Sequence, residues 1–137
     1  EIKMIEAGED PRFIARRLIV CAAEDVGIAD PNAMNIAVSA YRAVEIIGMP
    51  EGRIPLANAV VYVANAPKSN KACVAIDSAL ADIKSGNDFP PPMHLRDSHY
   101  KDAEKYGFGK GYIYTHDEPD TYQQFLPNEL VGKKYLK

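Results

Sequence analysis

The chain has little cysteine, no basic surplus and no long apolar run, and each shortage removes a class of function. Its two cysteines, Cys21 and Cys73, stand alone in apolar, helical-looking stretches, with no CxxC or other ligand spacing. A disulfide scaffold and a zinc module of ordinary spacing are excluded, and the thiols read as small core residues in a reducing compartment. The formal net charge is -3, with the acidic surplus in residues 1–50 and the remainder balanced. Holding duplex nucleic acid mainly through its phosphates calls for a basic stripe, which no segment supplies, so any nucleic-acid contact must be local. The longest run without a charge, residues 54–67, is too short to cross a bilayer. The first residues lack the basic, apolar, small-residue order of a secretory leader. The expectation is a cytoplasmic protein with no membrane partner.

What is present is ordinary globular composition, 47% hydrophobic and 26% charged, enough for one modest core in a single domain. The chain opens on Glu1 without an initiator Met and reads as a piece of a longer product. Asp10-Pro11 and Asp30-Pro31 each place a carboxylate over free backbone N–H groups, followed by proline at the first helical position, where its missing N–H costs nothing. Gly27 and Gly48 supply the left-handed residue that ends a helix, so helices are predicted over residues 11–26 and 31–47. The first should bury Ile14, Leu18, Cys21 and Ala22, and the same spacing sets Asp25 on that buried face. Phe13 and Val20 fall instead among the charged residues, a second apolar strip that simple two-layer packing leaves wet. In the second helix Ala33, Ala37, Ala40 and Ala43 predict close helix approach. The third, residues 55–66, is apolar nearly all round and should be the central, buried helix. A surface helix with a narrow face of Cys73, Ile76, Leu80 and Ile83 is predicted before Gly86.

At residue 87 the character changes. Three consecutive prolines, Pro90 to Pro92, force an extended course, and the remainder holds most of the tyrosines and all three histidines. A short helix is expected near residues 100–106. Residues 111–116 alternate enough for a strand. The expected organisation is a helical bundle over residues 1–86 and an extended arm with strand or hairpin character over residues 87–137, packed on the bundle. No internal repeat or heptad pattern is present.

Candidate chemistry is sparse. Gly107, Gly109, Lys110 and Gly111 suggest a phosphate loop, but that motif needs GxxxxGK followed by Ser or Thr ahead of a helix, so a glycine-rich turn is the better reading. His94 and His99 miss the i, i+4 spacing of a helical metal pair, and with His116 they are better placed to pin the arm through carbonyls or carboxylates. A buried Asp25 needs an arginine or a backbone donor as partner, and no nucleophile accompanies it as a general base. Lys110, Tyr112 and Tyr114, with Lys133, Lys134 and Tyr135, interleave cations and aromatics, the material for stacking single-stranded bases or for gluing an arm to a bundle. Neighbouring Asp117, Glu118, Asp120 and Glu129 weaken the field there.

Six blocks carry a resemblance: EAGEDPRFIARRL at 6–18, EDVGIADP at 24–31, GMPEG at 48–52, APKSN at 66–70, PMHLR at 92–96 and GFGKGYIYTHD at 107–117. In order and spacing, over essentially the whole chain, they resemble the C-terminal region of the replication-associated recombination protein A family. These are bacterial AAA+ ATPases related to the eukaryotic Werner helicase-interacting protein. The resemblance implies an all-α fold like the C-terminal collar of clamp loaders. It also implies homo-oligomerisation, as a tetramer, of an ATPase working on DNA at stalled replication forks. ATP and Mg would then belong to an N-terminal module outside this chain, leaving no catalytic residue, cofactor or metal in it. DNA would be met through the parent, at the bacterial nucleoid, alongside replication proteins such as single-stranded DNA-binding protein. Phe13 and Val20 are the expected interface residues. The alternative is a module binding single-stranded DNA or a replication partner through Lys110, Tyr112 and Tyr114.

Overall fold

The computed structural model describes residues 2–86 and 89–137. Asn87 and Asp88, where the change of character was expected, lie outside the described residues. The described residues form five α-helices: α1 (Ile2–Glu6), α2 (Pro11–Cys21), α3 (Asn32–Ile47), α4 (Arg53–Asn65) and α5 (Lys71–Lys84). The chain divides into two compact units, residues 1–78 with 136–137 and residues 79–135. The division falls within α5.

Both Asp-Pro steps start helices, by different means. Asp10 accepts the Arg12 N–H at 2.8 Å, with Pro11 at the first position of α2. The Arg12 guanidinium bonds the same carboxylate and, with that N–H, holds the Asp10 carboxyl below the ordinary range. Asp30 accepts the Asn32 N–H at 3.1 Å and the Tyr62 hydroxyl at 2.8 Å, so one carboxylate both starts α3 and ties it to α4.

The end of the first predicted helix differs from expectation. The chain is α-helical to Cys21, widens into a π turn at Ala22–Val26 and tightens into a 3₁₀ turn at Gly27–Ala29. A π turn accommodates an extra residue and so rotates the side chains that follow it. Asp25 is accordingly exposed and not on the buried face. Its carboxylate receives the Cys21 thiol at 3.1 Å in place of an arginine, while its backbone carbonyl accepts the Ser69 N–H at 2.8 Å. Gly27, at φ 49°, lies so close to Ser69 that a Cβ would sit 2.8 Å from its carbonyl oxygen. One residue earlier, the Lys68 ammonium donates to the carbonyls of Val63, Ala64 and Ala66 at 2.7, 3.2 and 2.6 Å. It thereby satisfies acceptors that the end of α4 leaves open.

Alanine supplies half of the buried apolar residues described in the first unit, beside Ile14, Leu18, Val26, Val44, Leu56 and Val63. Packing of α3 against α2 and α4 buries Ala22, Ala33, Ala37, Ala40 and Ala59 with Leu18, Val26 and Val63. Ala15, Val44 and Leu56 form a smaller cluster beside it. Methyl-sized contacts let helix axes approach closely, as the alanine pattern predicts. The expectation that α4 is buried all round is not met. It buries Leu56, Ala59 and Val63, but Ile54 and Val61 are 54% and 61% exposed, because α2 and α3 reach one side of it. The last helix, α5, buries none of its residues, as expected of a surface helix, and Gly86 follows it at φ 86°.

The second unit holds 3₁₀ turns at Met93–Leu95, Ala103–Tyr106 and Asn128–Leu130, the middle one standing where the short helix was expected. No strand occurs among the described residues, which corrects the strand or hairpin expected at 111–116. A strand needs a neighbouring backbone to bond with. Here a side chain takes that place: Gln123, 7% exposed, accepts the Ile113 N–H at 2.8 Å and donates to the Ile113 carbonyl at 3.0 Å. At its other end, Asp82 accepts hydrogen bonds from Lys133 and, at 2.7 Å, from the Tyr135 hydroxyl.

Candidate functional site

Although Ile14, Leu18, Val26, Val44, Leu56 and Val63 are buried, several other large apolar residues of the first unit lie outside its core. Phe13 and Val20 lie two turns apart on one face of α2 and are 38% and 43% exposed, where the 3.6-residue period sets them. On α4, Ile54 and Val61 line an open groove of about 460 Å³ together with Ile5, Ala57 and Val60, with Glu6 and Arg53 among its polar lining. Reading α4 as buried hid this groove. The signal was available, since an apolar helix with polar relief at Asn58, Tyr62 and Asn65 needs cover on every side, and two partner helices cannot give it.

In the second unit, Lys110, Tyr112 and Tyr114 occupy a turn and an extended run, all exposed. The Tyr114 ring packs on His116 at 5.1 Å. His94 pins the unit as expected, its Nε2 2.9 Å from the Gln124 carbonyl, whereas His99 is exposed and its Nδ1 reaches only the neighbouring Asp97 at 2.8 Å. The Asp97 carboxyl is held low by the His99 N–H first and its ring second.

The sequence reading missed the cluster formed by Arg96, Tyr100, Tyr106 and Phe108. Phe108 stands between the two tyrosines, at 6.2 Å from Tyr100 and 5.8 Å from Tyr106, with the Arg96 guanidinium 5.3 Å over its ring. The glycine-rich stretch makes this geometry. Gly107, Gly109 and Gly111 all adopt φ between 74° and 82°, which confirms a run of turns, and Gly109 donates its N–H to the Met93 carbonyl at 3.0 Å. A Cβ at Gly109 would collide with Ser98 at 2.8 Å, so only glycine brings Phe108 in this closely.

The full length of the chain, residues 1–137, matches the family described as MgsA AAA+ ATPase C terminal. The chain belongs to this family. Among similar proteins, replication-associated recombination protein A of Bacillus subtilis is 48% identical over 137 residues, covering 98% of this chain and 32% of that protein. The protein of the same name from Escherichia coli is 40% identical over 136 residues, 97% of this chain and 30% of its own length. The ATPase WRNIP1 of Dictyostelium discoideum is 36% identical over 140 residues, 99% of this chain and 16% of its own. The chain thus spans about a third or less of these relatives. For this family member the described residues include no helix long and apolar enough to cross a membrane.

Proposed function

We propose that the chain is the homo-oligomerisation domain of an AAA+ ATPase that acts in DNA replication, recombination and repair at stalled forks, and that it contributes assembly and no chemistry. One observation carries the reading. Among the described residues of the first unit, six of the twelve buried apolar ones are alanine, while Phe13, Val20, Ile54 and Val61 remain outside. A chain gains little by burying alanine and loses by wetting large aliphatic groups. Association of copies removes that surface from water. The two exposed faces lie on separate helices, and two distinct patches per copy favour closure beyond a dimer, which fits a tetramer. Two of the relatives are named for replication-associated recombination, which supports the cellular context. In this reading ATP and Mg bind in the parent outside this chain, and the parent meets DNA and replication proteins in the bacterial cytoplasm, at the nucleoid.

Light scattering on the eluting 137-residue chain tests it. We expect a mass about four times 15.1 kDa, reduced in a Phe13→Asp, Val20→Asp double variant that retains its helical circular dichroism. A wild-type chain that stays monomeric at the highest attainable concentration removes the reading.

A further inference from the structure

The first unit exposes two apolar surfaces that differ in shape and in charge. Phe13 and Val20 form a ridge on α2, because side chains seven residues apart on a helix stand one above the other. Arg16 and Arg17 fall on either side of the line between them, and both are exposed. Neither has an ion pair among the described residues, and Asp10, the acid that starts α2, is bonded to Arg12 instead.

The second surface is hollow. Ile5 from α1 and Ile54, Ala57 and Val61 from α4 line the groove of about 460 Å³. Glu6 belongs to the same lining, is exposed and has no ion pair among the described residues. Arg53, the other charged residue of the lining, donates to the Pro50 carbonyl at 2.9 Å, which ties it to its own turn.

Copies can cover these surfaces in two ways. About a two-fold axis each patch meets itself. Ridge on ridge then gathers Arg16 and Arg17 of both copies, and groove on groove sets Glu6 against Glu6 around an unfilled space. Like charges so placed oppose association, and an unfilled apolar space forfeits its contacts. Head to tail, convex meets concave: Phe13 and Val20 meet Ile54 and Val61, while Arg16 and Arg17 approach Glu6.

We infer that the Phe13–Val20 ridge of each copy seats in the α1–α4 groove of the next, a heterologous contact repeated around one rotation axis until it closes. The inference rests on the self-association proposed above and specifies which face meets which. Such a ring uses every ridge and every groove, and all its copies point the same way along the axis.

Light scattering on mixed variants of the 137-residue chain tests the pairing. A ridge variant, Phe13→Asp with Val20→Asp, keeps its groove; a groove variant, Ile54→Asp with Val61→Asp, keeps its ridge. Each alone is expected to be monomeric. Their equimolar mixture is expected to form a species of two chains and no larger, since one intact ridge meets one intact groove. Under two-fold pairing each variant keeps a dimer through its untouched patch, and mixing changes nothing. Circular dichroism identifies a variant that fails to fold, and charge reversal at exposed residues then carries the test. Arg16→Glu with Arg17→Glu, or Glu6→Arg alone, should raise the concentration needed for assembly about tenfold or more. All three reversals in one chain should bring it back toward wild type. A variant that keeps a dimer or the wild-type mass, a folded mixture that stays monomeric, or reversals that do not rescue one another overturn the pairing. With an oligomeric wild type, any of these leaves self-association standing; a monomeric wild type removes both.

Discussion

Replacing Gln123 by Leu probes the least conventional contact in the fold. The side chain keeps similar volume but loses both bonds to Ile113, leaving a backbone N–H and carbonyl without the partners they have at 2.8 and 3.0 Å. Each buried group left unpaired costs about 1–3 kcal/mol. Ile113 is half-buried, so water recovers part of the loss, and about 1–3 kcal/mol in total is the expected cost. The segment should therefore open roughly 5- to 150-fold more often, the same energy expressed as an equilibrium factor. Amide exchange followed by NMR reads this directly: the Ile113 amide should speed up by that factor while the Ala37 amide, in the alanine core, does not. A Glu at 123 sharpens the test. Its ionised form still accepts from the Ile113 N–H but repels the carbonyl, whereas its protonated form can serve both. The folded state then prefers the neutral acid, so the folded value rises above the ordinary one of about 4.3. Protection of Ile113 in Gln123→Glu should be greatest below that value and decline as pH rises through the raised one. Unchanged Ile113 exchange in Gln123→Leu would refute the claim that a side chain replaces a strand here.

Two further outcomes follow from the geometry. Gly27→Ala should lower the melting temperature more than Gly48→Ala; both adopt positive φ outside the left-handed helical region, a strain of about 1–3 kcal/mol for a residue with a Cβ, but of the two only Gly27 faces a neighbour, the Ser69 carbonyl at 2.8 Å. Equal losses would show that the Ser69 contact is not tight in solution. Asp82 is held below its ordinary value of 3.8 by Lys133 first and Tyr135 second, and the same bond raises the Tyr135 phenol. The stabilisation is complete above the ordinary carboxylate value and disappears as pH falls through the lowered one. In a spectrophotometric tyrosine titration, Asp82→Asn should bring one late-titrating phenol down toward the others, and an identical curve would count against the bond.

Much of the first unit was legible because its signals are local. Asp10, Asp30 and Gly48 act through their own backbone neighbours, so helix starts and stops could be placed from the sequence. The buried face of α2 could be read as far as Cys21, where the period holds. It failed at Asp25, because a π turn has no sequence mark of its own and breaks the period on which the reading depended. The groove on α4 was missed for a different reason: burial of a helix depends on how many neighbours reach it, which periodicity does not encode. In the second unit alternation at Tyr112, Ile113 and Tyr114 suggested a strand, yet the bonding partner was a glutamine ten residues away. The blocks GMPEG, APKSN and GFGKGYIYTHD, read first as marks of resemblance, coincide with tight local contacts: a Cβ at Gly52 would sit 2.7 Å from the Gly48 carbonyl oxygen, Lys68 bonds the last carbonyls of α4, and Gly109 lies against Ser98.

The alanine seam has a mechanical side. Ala33, Ala37, Ala40 and Ala59 have almost no side chain left to trim, so nearly every replacement there is an enlargement. An added methylene at Ala37 would wedge α3 away from α2 or α4 and reset the distance between their outer faces without altering any residue on them. Interior changes in this domain therefore register first as misaligned exteriors, and under the proposed self-association a screen for its loss should recover substitutions at these buried positions.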